Sequence, residues 1–304
     1  MQSIRTSRHQ YHHNLALYLM VAPGLVWLVM FRLIPLAGSI IAFQDYQILR
    51  GIFKSPWVGL KHFRYLFSYP DFYKILRNTL ILGVYTLFFT FPLPIVLALM
   101  LNEFRSKRFK GFVQTATYIP YFFSWVIIAG FAEELLGLSG GVNKLVQLFG
   151  GKPIIFLQYQ EYFRTIVTVA TIYRESGWSA IIFIAAMAAI DPALYESAMM
   201  DGANRWAQIV HITLPCIMET VVVMLLLKLG QFMAQGFDRV YVFLKPMTLE
   251  VGDIFDTFVF RVGITQGQHS LTTAIGLFQS VVGLILVVAS NQLSKRLTGE
   301  GVVW

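Results

Sequence analysis

The stretch YESAMMDGANRWAQIVHITLP, residues 195–215, places polar side chains and a glycine between two long apolar runs. Asp191 and Pro192 precede it, an N-cap residue followed by proline at the first helical position. This arrangement predicts a short helix over residues 193–202, about two to three turns long. Pro215 is predicted to open the next apolar run, where its missing N–H costs little. The pattern indicates an ordered segment here and not a loose loop.

Small residues predict one distinctive face of this helix. Ala198 and Gly202 are four residues apart and are expected to share a face, which would be small and flat. Glu196 and Asp201 are expected to lie elsewhere on its surface. A flat face lets another surface approach closely, which suits a docking site. The alternative is that the segment is an amphipathic helix at a membrane interface, where such helices occur for many reasons.

The composition indicates a membrane protein. The 304 residues are 56% hydrophobic and 13% charged, whereas soluble domains carry about 25% charged residues. A water-soluble domain of this size could not bury so much apolar surface. The single cysteine, Cys216, excludes a disulfide framework within the chain and a cysteine-rich metal site. The net charge of +8 is explained by basic loops at a membrane face and does not require nucleic acid as a partner.

Six apolar runs predict an all-α polytopic membrane protein with six transmembrane helices, since a span needs about 20 mostly apolar residues. The first run is too long for a signal-peptide core and is expected to be retained as a span. An even number of spans puts both termini on one side. The predicted spans are 15–31 continuing to 43, 78–102, 111–132, 162–190, 216–244 and 270–294.

Basic residues set the predicted orientation. The tightest cluster, at residues 105–110 between the second and third spans, should be cytoplasmic by the positive-inside rule, and both termini with it. The loop at 45–74 is also basic, yet this topology places it outside. Either the first run does not span, or the loop folds as a small exterior subdomain. We favour the subdomain, because its alternating aromatic and charged residues suit an interfacial position.

The opening stretch carries a family resemblance. Glu196-Ser197-Ala198 is followed, after three residues, by Gly202, and after nine more by Ile212, one residue, and Leu214-Pro215. This resembles, at every spacing, the EAA signature of the inner-membrane permeases of binding-protein-dependent ABC importers. Ser197 replaces the middle alanine of the motif and is also small. The resemblance covers most of the chain. The stretch at 175–215 and the tail GEGVVW at 299–304 look most like permeases for oligosaccharides or uronate-containing polysaccharides.

The resemblance implies a division of labour among several chains. The EAA segment would form a cytoplasmic coupling helix that docks on an ATPase subunit through Glu196, Ser197, Ala198, Gly202, Ile212, Leu214 and Pro215. The implied partners are a second homologous permease, two ATPase subunits and an extracytoplasmic solute-binding protein, in a bacterial plasma (inner) membrane. ATP and Mg²⁺ would reside on the ATPases. Residues 1–75 would hold the N-terminal tail, first span and exterior loop, and residues 76–304 the importer core, with the EAA loop at 191–215.

Neither a catalytic site nor a metal site is predicted in this chain. It has no G-x-x-x-x-G-K-[ST] phosphate loop, H-E-x-x-H, G-x-S-x-G or C-x-x-C motif. His12 and His13 are adjacent, but the pattern favours solvated tail residues over ligands. The chain is therefore expected to be a transport subunit that does not hydrolyse ATP and has no cofactor of its own.

Charged and polar residues inside the predicted spans indicate a solute path, because each charge at mid-membrane costs about 2.5–3.5 kcal/mol and usually faces water or a partner. If residues 216–244 form one helix, their spacing puts four polar side chains on one face. The alternative is that the charges form a structural ion pair and the amides join neighbouring helices. The candidate path residues are Arg174, Glu175, Trp178, Lys228, Gln231, Gln235 and Arg239.

Two other classes of protein remain as alternatives. An ion-driven secondary carrier would need acidic residues deep in the membrane, and Glu175 is the only deep candidate. A membrane-embedded enzyme would need clustered His, Asp or Glu at one depth, and the sequence shows no such cluster.

Overall fold

The computed structural model describes residues 3–298 and shows an all-α protein. In that range, β structure is limited to an isolated bridge between Gln44 and Trp57. The helices discussed below are α1 (Ser3–Leu28, continued by further helical turns to Phe43), α2 (Lys61–Ser68), α3 (Phe72–Glu103), α4 (Lys107–Tyr118), α5 (Trp125–Leu136), α6 (Gly141–Leu148), α7 (Gln160–Ala188), α8 (Pro192–Met200), α9 (Arg205–Gly230), α10 (Phe237–Tyr241), α11 (Phe255–Val259) and α12 (His269–Thr298).

The prediction of an all-α polytopic membrane protein is confirmed. Among the described residues, five helical segments are long and apolar enough to cross a membrane: 17–43, 72–103, 125–148, 205–230 and 269–292. Helix α7 qualifies only together with α8, from which it is bent by 70°. Counting that bent pair as one crossing gives the predicted six. The tail at 299–304 and the side chains of His12 and His13 lie outside what the structure describes.

The third predicted span, residues 111–132, is wrong as one continuous helix. Helix α4 ends at Tyr118, a 3₁₀ turn at Ile119–Phe122 follows, and α5 begins at Trp125. Pro120 stands inside the 3₁₀ turn, and the Ser124 hydroxyl caps α5 by accepting from the Ile127 N–H at 3.3 Å. The sequence thus supplies both a helix breaker and a new N-cap, and these end one helix and start another.

Three of the prolines inside helices that continue past them share one local arrangement. Each follows, by two residues, the end of a π-helical turn: Val29–Leu33 before Pro35, Thr86–Thr90 before Pro92 and Ile209–Thr213 before Pro215. Proline cannot donate a backbone hydrogen bond, and its ring clashes with the carbonyl four residues earlier. The wider π turn, with its i→i−5 bonds, relieves that conflict without ending the helix.

The described chain divides into two compact units. One comprises the residues up to Ser68 together with Gln266–Leu277, and the other Tyr69–Thr265 with the residues from Phe278 on. In the first unit, the Tyr46 N–H donates to Ser270 Oγ at 3.0 Å and Lys61 pairs with Asp45 at 3.0 Å.

The larger unit has two apolar clusters. One packs α3, α5 and α7 against the segment after α9, through Leu82, Ile128, Val167, Phe243 and Ile254. The other joins α3, α7 and α9 through Ala98, Ala180, Phe183, Met187 and Ile217. Helix α7 contributes to both and is the central helix of this unit.

Candidate coupling helix and solute cavity

The N-terminus of α8 is capped as the sequence predicts. Asp191 has extended backbone angles, and its side chain accepts a hydrogen bond from the Ala193 N–H at 3.0 Å. Pro192 occupies the first helical position, where no N–H is needed. The predicted short helix is confirmed over Pro192–Met200.

Gly202 does not share a helical face with Ala198, and that prediction is wrong. The helix ends at Met200, and Gly202 adopts a left-handed conformation with φ of +81°. The Ala203 N–H donates to the Ala198 carbonyl at 2.9 Å and the Gly202 N–H to the Met199 carbonyl at 3.1 Å. This pair of bonds is a Schellman C-cap, which favours glycine because a Cβ strains the left-handed conformation. The glycine of the motif therefore stops the helix.

The surface of α8 is largely exposed. Glu196 and Ser197 are exposed, and Ala198 is half-buried. The Ser197 hydroxyl donates to the Leu194 carbonyl at 3.1 Å, so its hydrogen bond is made within α8. Met200 is 88% exposed and Trp206, on the first turn of α9, is 72% exposed. These two large apolar side chains were not among the residues predicted to form the docking surface, although both lie within the motif segment.

Two contacts tie the α8 region to long helices. The Tyr195 hydroxyl and Thr213 Oγ1 are 2.9 Å apart, which joins α8 to α9. Arg205 pairs with Glu103 at 2.6 Å, which joins the start of α9 to the end of α3. The spacing of the motif gave no signal for these partners, because Glu103 is distant in sequence. The first contact attaches α8 itself to α9, and the second attaches α9 to α3.

The last three motif residues lie within α9. Ile212 and Leu214 are half-buried and Pro215 is exposed. The prediction that Pro215 opens the fifth span is wrong, because α9 begins at Arg205 and continues through Pro215. Asn204 caps that earlier start by accepting from the Ala207 N–H at 2.8 Å, and the π turn before Pro215 keeps the helix intact.

The sequence predicted a stripe of polar residues on one helix, formed by Lys228, Gln231, Gln235 and Arg239, and that prediction is wrong. Helix α9 ends at Gly230, a turn begins at Gln231, and Gly236, with φ of +86°, leads into α10. The predicted helix over 216–244 is therefore broken, which is consistent with the glycines at both ends of the break.

The broken chain nevertheless brings the predicted residues together around a cavity of about 270 Å³. Glu175 of α7 contributes a carboxylate, and α3 contributes the Thr86 hydroxyl and the backbone at Gly83, against which Phe232 packs closely. A Cβ on Gly83 would lie 2.8 Å from the Phe232 ring. The predicted path residues in this lining are Glu175, Lys228, Gln231, Gln235 and Arg239.

Glu175 lies between two cations. One carboxylate oxygen is 3.8 Å from Arg174 Nη1, and the other is 3.8 Å from Lys228 Nζ on α9. Both distances exceed that of a hydrogen bond. The structure therefore contains the ion pair that the alternative interpretation required, and two of its members also line the cavity.

Arg174 and Trp178 are not among the residues that line this cavity. Arg174 Nε donates to the Phe123 carbonyl at 3.0 Å, at the break between α4 and α5. Its guanidinium lies 5.2 Å from the Tyr121 ring centroid and 4.8 Å from that of Trp125. Trp178 stacks on Tyr121 at 4.6 Å. Both side chains therefore support the helix break next to the cavity.

Gln235 and Arg239 form a buried pair in the cavity wall. Gln235 Oε1 accepts from Arg239 Nη2 and from the Thr86 hydroxyl, the latter at 3.1 Å. The Gln235 amide donates to the Phe232 carbonyl, which fixes the orientation of the side chain. Arg239 Nε has no hydrogen-bond partner in the part of the chain that the structure describes.

Comparisons with known proteins agree with this architecture. Residues 90–299 match the family described as "Binding-protein-dependent transport system inner membrane component". The polygalacturonan/rhamnogalacturonan transport system permease protein YteP of Bacillus subtilis (strain 168) is 50% identical over 94% of this chain and 89% of its own length. Protein LplB of the same organism is 44% identical over 94% of this chain and 90% of its own length.

A solved structure is similar over nearly the whole chain. A chain in the crystal structure of a bacterial alginate ABC transporter, in complex with an alginate pentasaccharide-bound periplasmic protein, superposes with a TM-score of 0.87. The sequences are 38% identical, and the match covers 96% of this chain and 98% of that one. The protein thus belongs to the binding-protein-dependent transport system inner membrane components and is a membrane-spanning permease of the sugar ABC transporter class.

Proposed function

We propose that this chain forms half of the translocation path for an oligosaccharide, or for a fragment of a uronate-containing polysaccharide, and couples its passage to ATP hydrolysis on a separate ATPase subunit. The names of two similar proteins support the substrate class, since one transports polygalacturonan and rhamnogalacturonan and the other alginate. The cavity supports it chemically. Its amides, hydroxyl and cations are the groups that bind sugar hydroxyls and carboxylates.

The observation that carries the coupling proposal is the construction of α8. It is short, capped at both ends and exposed, it is connected to α9 through Tyr195–Thr213, and α9 is in turn connected to α3 through Arg205–Glu103. A segment that transmits force must not unwind when it is pushed, and it must be attached to the elements that move. In this proposal Glu196, Ser197 and Ala198 meet the ATPase directly, while Gly202 fixes the end of the helix.

The remaining partners follow from the same proposal. A second homologous permease completes the path, two ATPase subunits carry ATP and Mg²⁺, and an extracytoplasmic solute-binding protein delivers the sugar. The chain resides in the bacterial inner membrane, with α8 and both termini in the cytoplasm and the loop at 45–74 outside.

The experiment that tests coupling is co-purification of the transporter with its ATPase subunits after Glu196→Lys. Glu196 is exposed and makes no ion pair within the described residues, so reversing its charge breaks no ion pair there. We expect the recovered ATPase to fall by about tenfold, the equivalent of one or two lost charge-assisted contacts, while membrane insertion is unchanged.

Glu134→Lys is the matched control, because Glu134 is also exposed but lies near the end of α5. This variant should retain the ATPase. Normal ATPase recovery with both Glu196→Lys and Met200→Asp would refute α8 as the docking element. Uptake of labelled oligogalacturonate into proteoliposomes holding the assembled transporter tests the substrate class separately.

A further inference from the structure

Arg239 is a buried cation without a salt-bridge partner among the residues that the structure describes. The residue is 7% exposed and lines the cavity. Its guanidinium donates to the neutral amide oxygen of Gln235, and its Nε–H has no acceptor. None of the ion pairs among residues 15–292 includes it. Buried charges in proteins are normally paired, so this arrangement is incomplete without an anion.

The neighbouring carboxylates are engaged elsewhere. Glu175 is placed between Arg174 and Lys228. Asp256 accepts the Gly236 N–H at 2.8 Å and the Gln279 amide at 3.4 Å. Both are close enough to act on Arg239 electrostatically, but neither forms a salt bridge with it. Asp238, the other carboxylate in the lining, is exposed.

The guanidinium is held in place before any ligand arrives. Gln235 fixes it from one side and is itself fixed by Thr86 and by the Phe232 carbonyl. A guanidinium presents several N–H donors in a planar fork that matches a carboxylate. Lys228, 31% exposed and 3.8 Å from its partner carboxylate, is a second cation in the same lining.

We propose that Arg239 binds the carboxylate of a uronate unit in transit and makes this permease selective for acidic over neutral oligosaccharides. The inference rests on the proposed carbohydrate path. The carboxylate could instead come from the second permease, in which case it would be part of the assembled protein and independent of the sugar. The two sources give different results when the charge of the sugar is varied.

The test compares two trisaccharides of the same stereochemistry, trigalacturonate and galactotriose. Each unit of trigalacturonate carries a carboxylate where galactotriose carries a hydroxymethyl group. Binding to the complete transporter in lipid nanodiscs is measured by saturation-transfer NMR without the solute-binding protein, so that capture by that protein does not contribute. The variants are Arg239→Gln and Arg239→Lys, with Lys245→Gln as control. Lys245 is an exposed cation paired with Glu133 at 2.8 Å, and it does not line this cavity.

We expect Arg239→Gln to weaken trigalacturonate binding by about tenfold or more, the effect of losing a charge-assisted hydrogen bond, and to leave galactotriose unchanged. Arg239→Lys should also weaken trigalacturonate binding, because the planar donor fork of the guanidinium is lost. The loss should be smaller than for Arg239→Gln, because the positive charge is kept. Lys245→Gln should change neither sugar. If Arg239→Gln does not assemble, the acid-specific loss in Arg239→Lys decides the question.

Equal losses for both sugars, or no loss for either, would overturn the inference and point to a carboxylate from the partner permease or to a packing role. In those cases the wild type still binds carbohydrate, and the proposed function stands. Failure of the wild-type transporter to bind either sugar or to take up labelled oligosaccharide would refute the carbohydrate path itself, and the inference with it.

Discussion

The amide of Ala203 donates to the carbonyl of Ala198 across 2.9 Å, and this bond closes the helix that the EAA motif encodes. The bond forms only because Gly202, between them, has a positive φ. Glycine in this motif therefore has a conformational role that can be tested separately from any role in docking.

Replacing Gly202 with alanine should loosen the end of α8. A non-glycine residue in the left-handed region costs about 1–2 kcal/mol, so local opening of residues 198–203 should become easier by about that amount. Gly202→Asn should cost less, because asparagine tolerates this region. Hydrogen–deuterium exchange of the peptide spanning 192–206 measures the change.

Gly150→Ala is the control for this strain, since Gly150 has φ of +79° and an added Cβ there meets nothing within 4 Å. It should leave exchange at 192–206 as in the wild type. Identical exchange in Gly202→Ala and wild type would show that the Schellman cap does not stabilise α8.

Removing the other cap should loosen the start of α8. Asp191→Ala deletes the acceptor for the Ala193 N–H and should cost about 1 kcal/mol of local stability, within the range of 0.5–2 for such caps. Asp191→Asn keeps an acceptor and should be nearly neutral. Exchange rates over residues 192–197 report the difference.

Ser106→Ala removes the equivalent cap of α4, where Ser106 accepts from the Phe109 N–H at 3.3 Å. This variant should speed exchange in α4 and leave α8 untouched. Equal exchange in Asp191→Ala and Asp191→Asn would argue against a capping contribution from this side chain.

Gly177 marks a close approach of α7 to α4. A Cβ at this position would lie 2.0 Å from the Thr117 carbonyl oxygen, which belongs to the backbone and cannot rotate away. Gly177→Ala should therefore destabilise the permease by about 1–3 kcal/mol, the usual cost of overpacking. Equilibrium unfolding in mixed micelles measures it.

Gly130→Ala in α5 provides the contrast, since nothing lies within 4 Å of the added Cβ. This substitution should be neutral or stabilise by up to about 1 kcal/mol, because alanine is the better helix former. If both alanine variants unfold at the same denaturant concentration, the close approach of α7 and α4 is not rigid.

The pair Glu175–Lys228 should contribute more to stability than a closer pair at the surface. Its atoms are 3.8 Å apart, but the side chains are 24% and 31% exposed. Lys245–Glu133, at 2.8 Å, is 40% and 53% exposed. A double-mutant cycle on Glu175→Gln and Lys228→Met should give a coupling energy between about 0.5 and 3 kcal/mol.

The cycle on Lys245→Gln and Glu133→Gln should give about 0–1 kcal/mol, because water screens exposed pairs. A larger coupling for the surface pair would mean that distance outweighs burial in this protein. Unfolding free energies of the four variants in each cycle supply the comparison.

The helix over 192–200 and its N-cap could be predicted because capping depends on neighbours in sequence. Asp191 and Pro192 signal a helix start wherever they stand before helix-forming residues. The membrane character was predictable for a similar reason, since it follows from composition and from the length of apolar runs. The prediction that Ala198 and Gly202 share a face failed because the rule that residues four apart share a helical face assumes that the helix continues, and this helix ends at Met200.

The cavity shows the opposite case. Lys228, Gln231, Gln235 and Arg239 were grouped for a wrong reason, a continuous helix, yet they meet around one space. The chain turns at Gln231 and again near Gly236, and the turns re-aim side chains that a straight helix would have aligned. Arg174 was assigned to the path, but the break between α4 and α5 engages it, because the half-buried Phe123 carbonyl lies outside the helices and accepts from the Arg174 side chain.

The sequence by itself determined that this is a membrane protein, that it is helical, and where the capped segment lies. These properties depend on composition and on residues close together in the chain. Tertiary structure alone decided that Arg205 meets Glu103, that Arg174 meets Phe123, and that Gln235 meets Thr86 beside the buried Arg239. Such contacts join residues far apart in sequence, and only the packing of helices, which buries side chains and sets their partners, brings them within hydrogen-bonding distance.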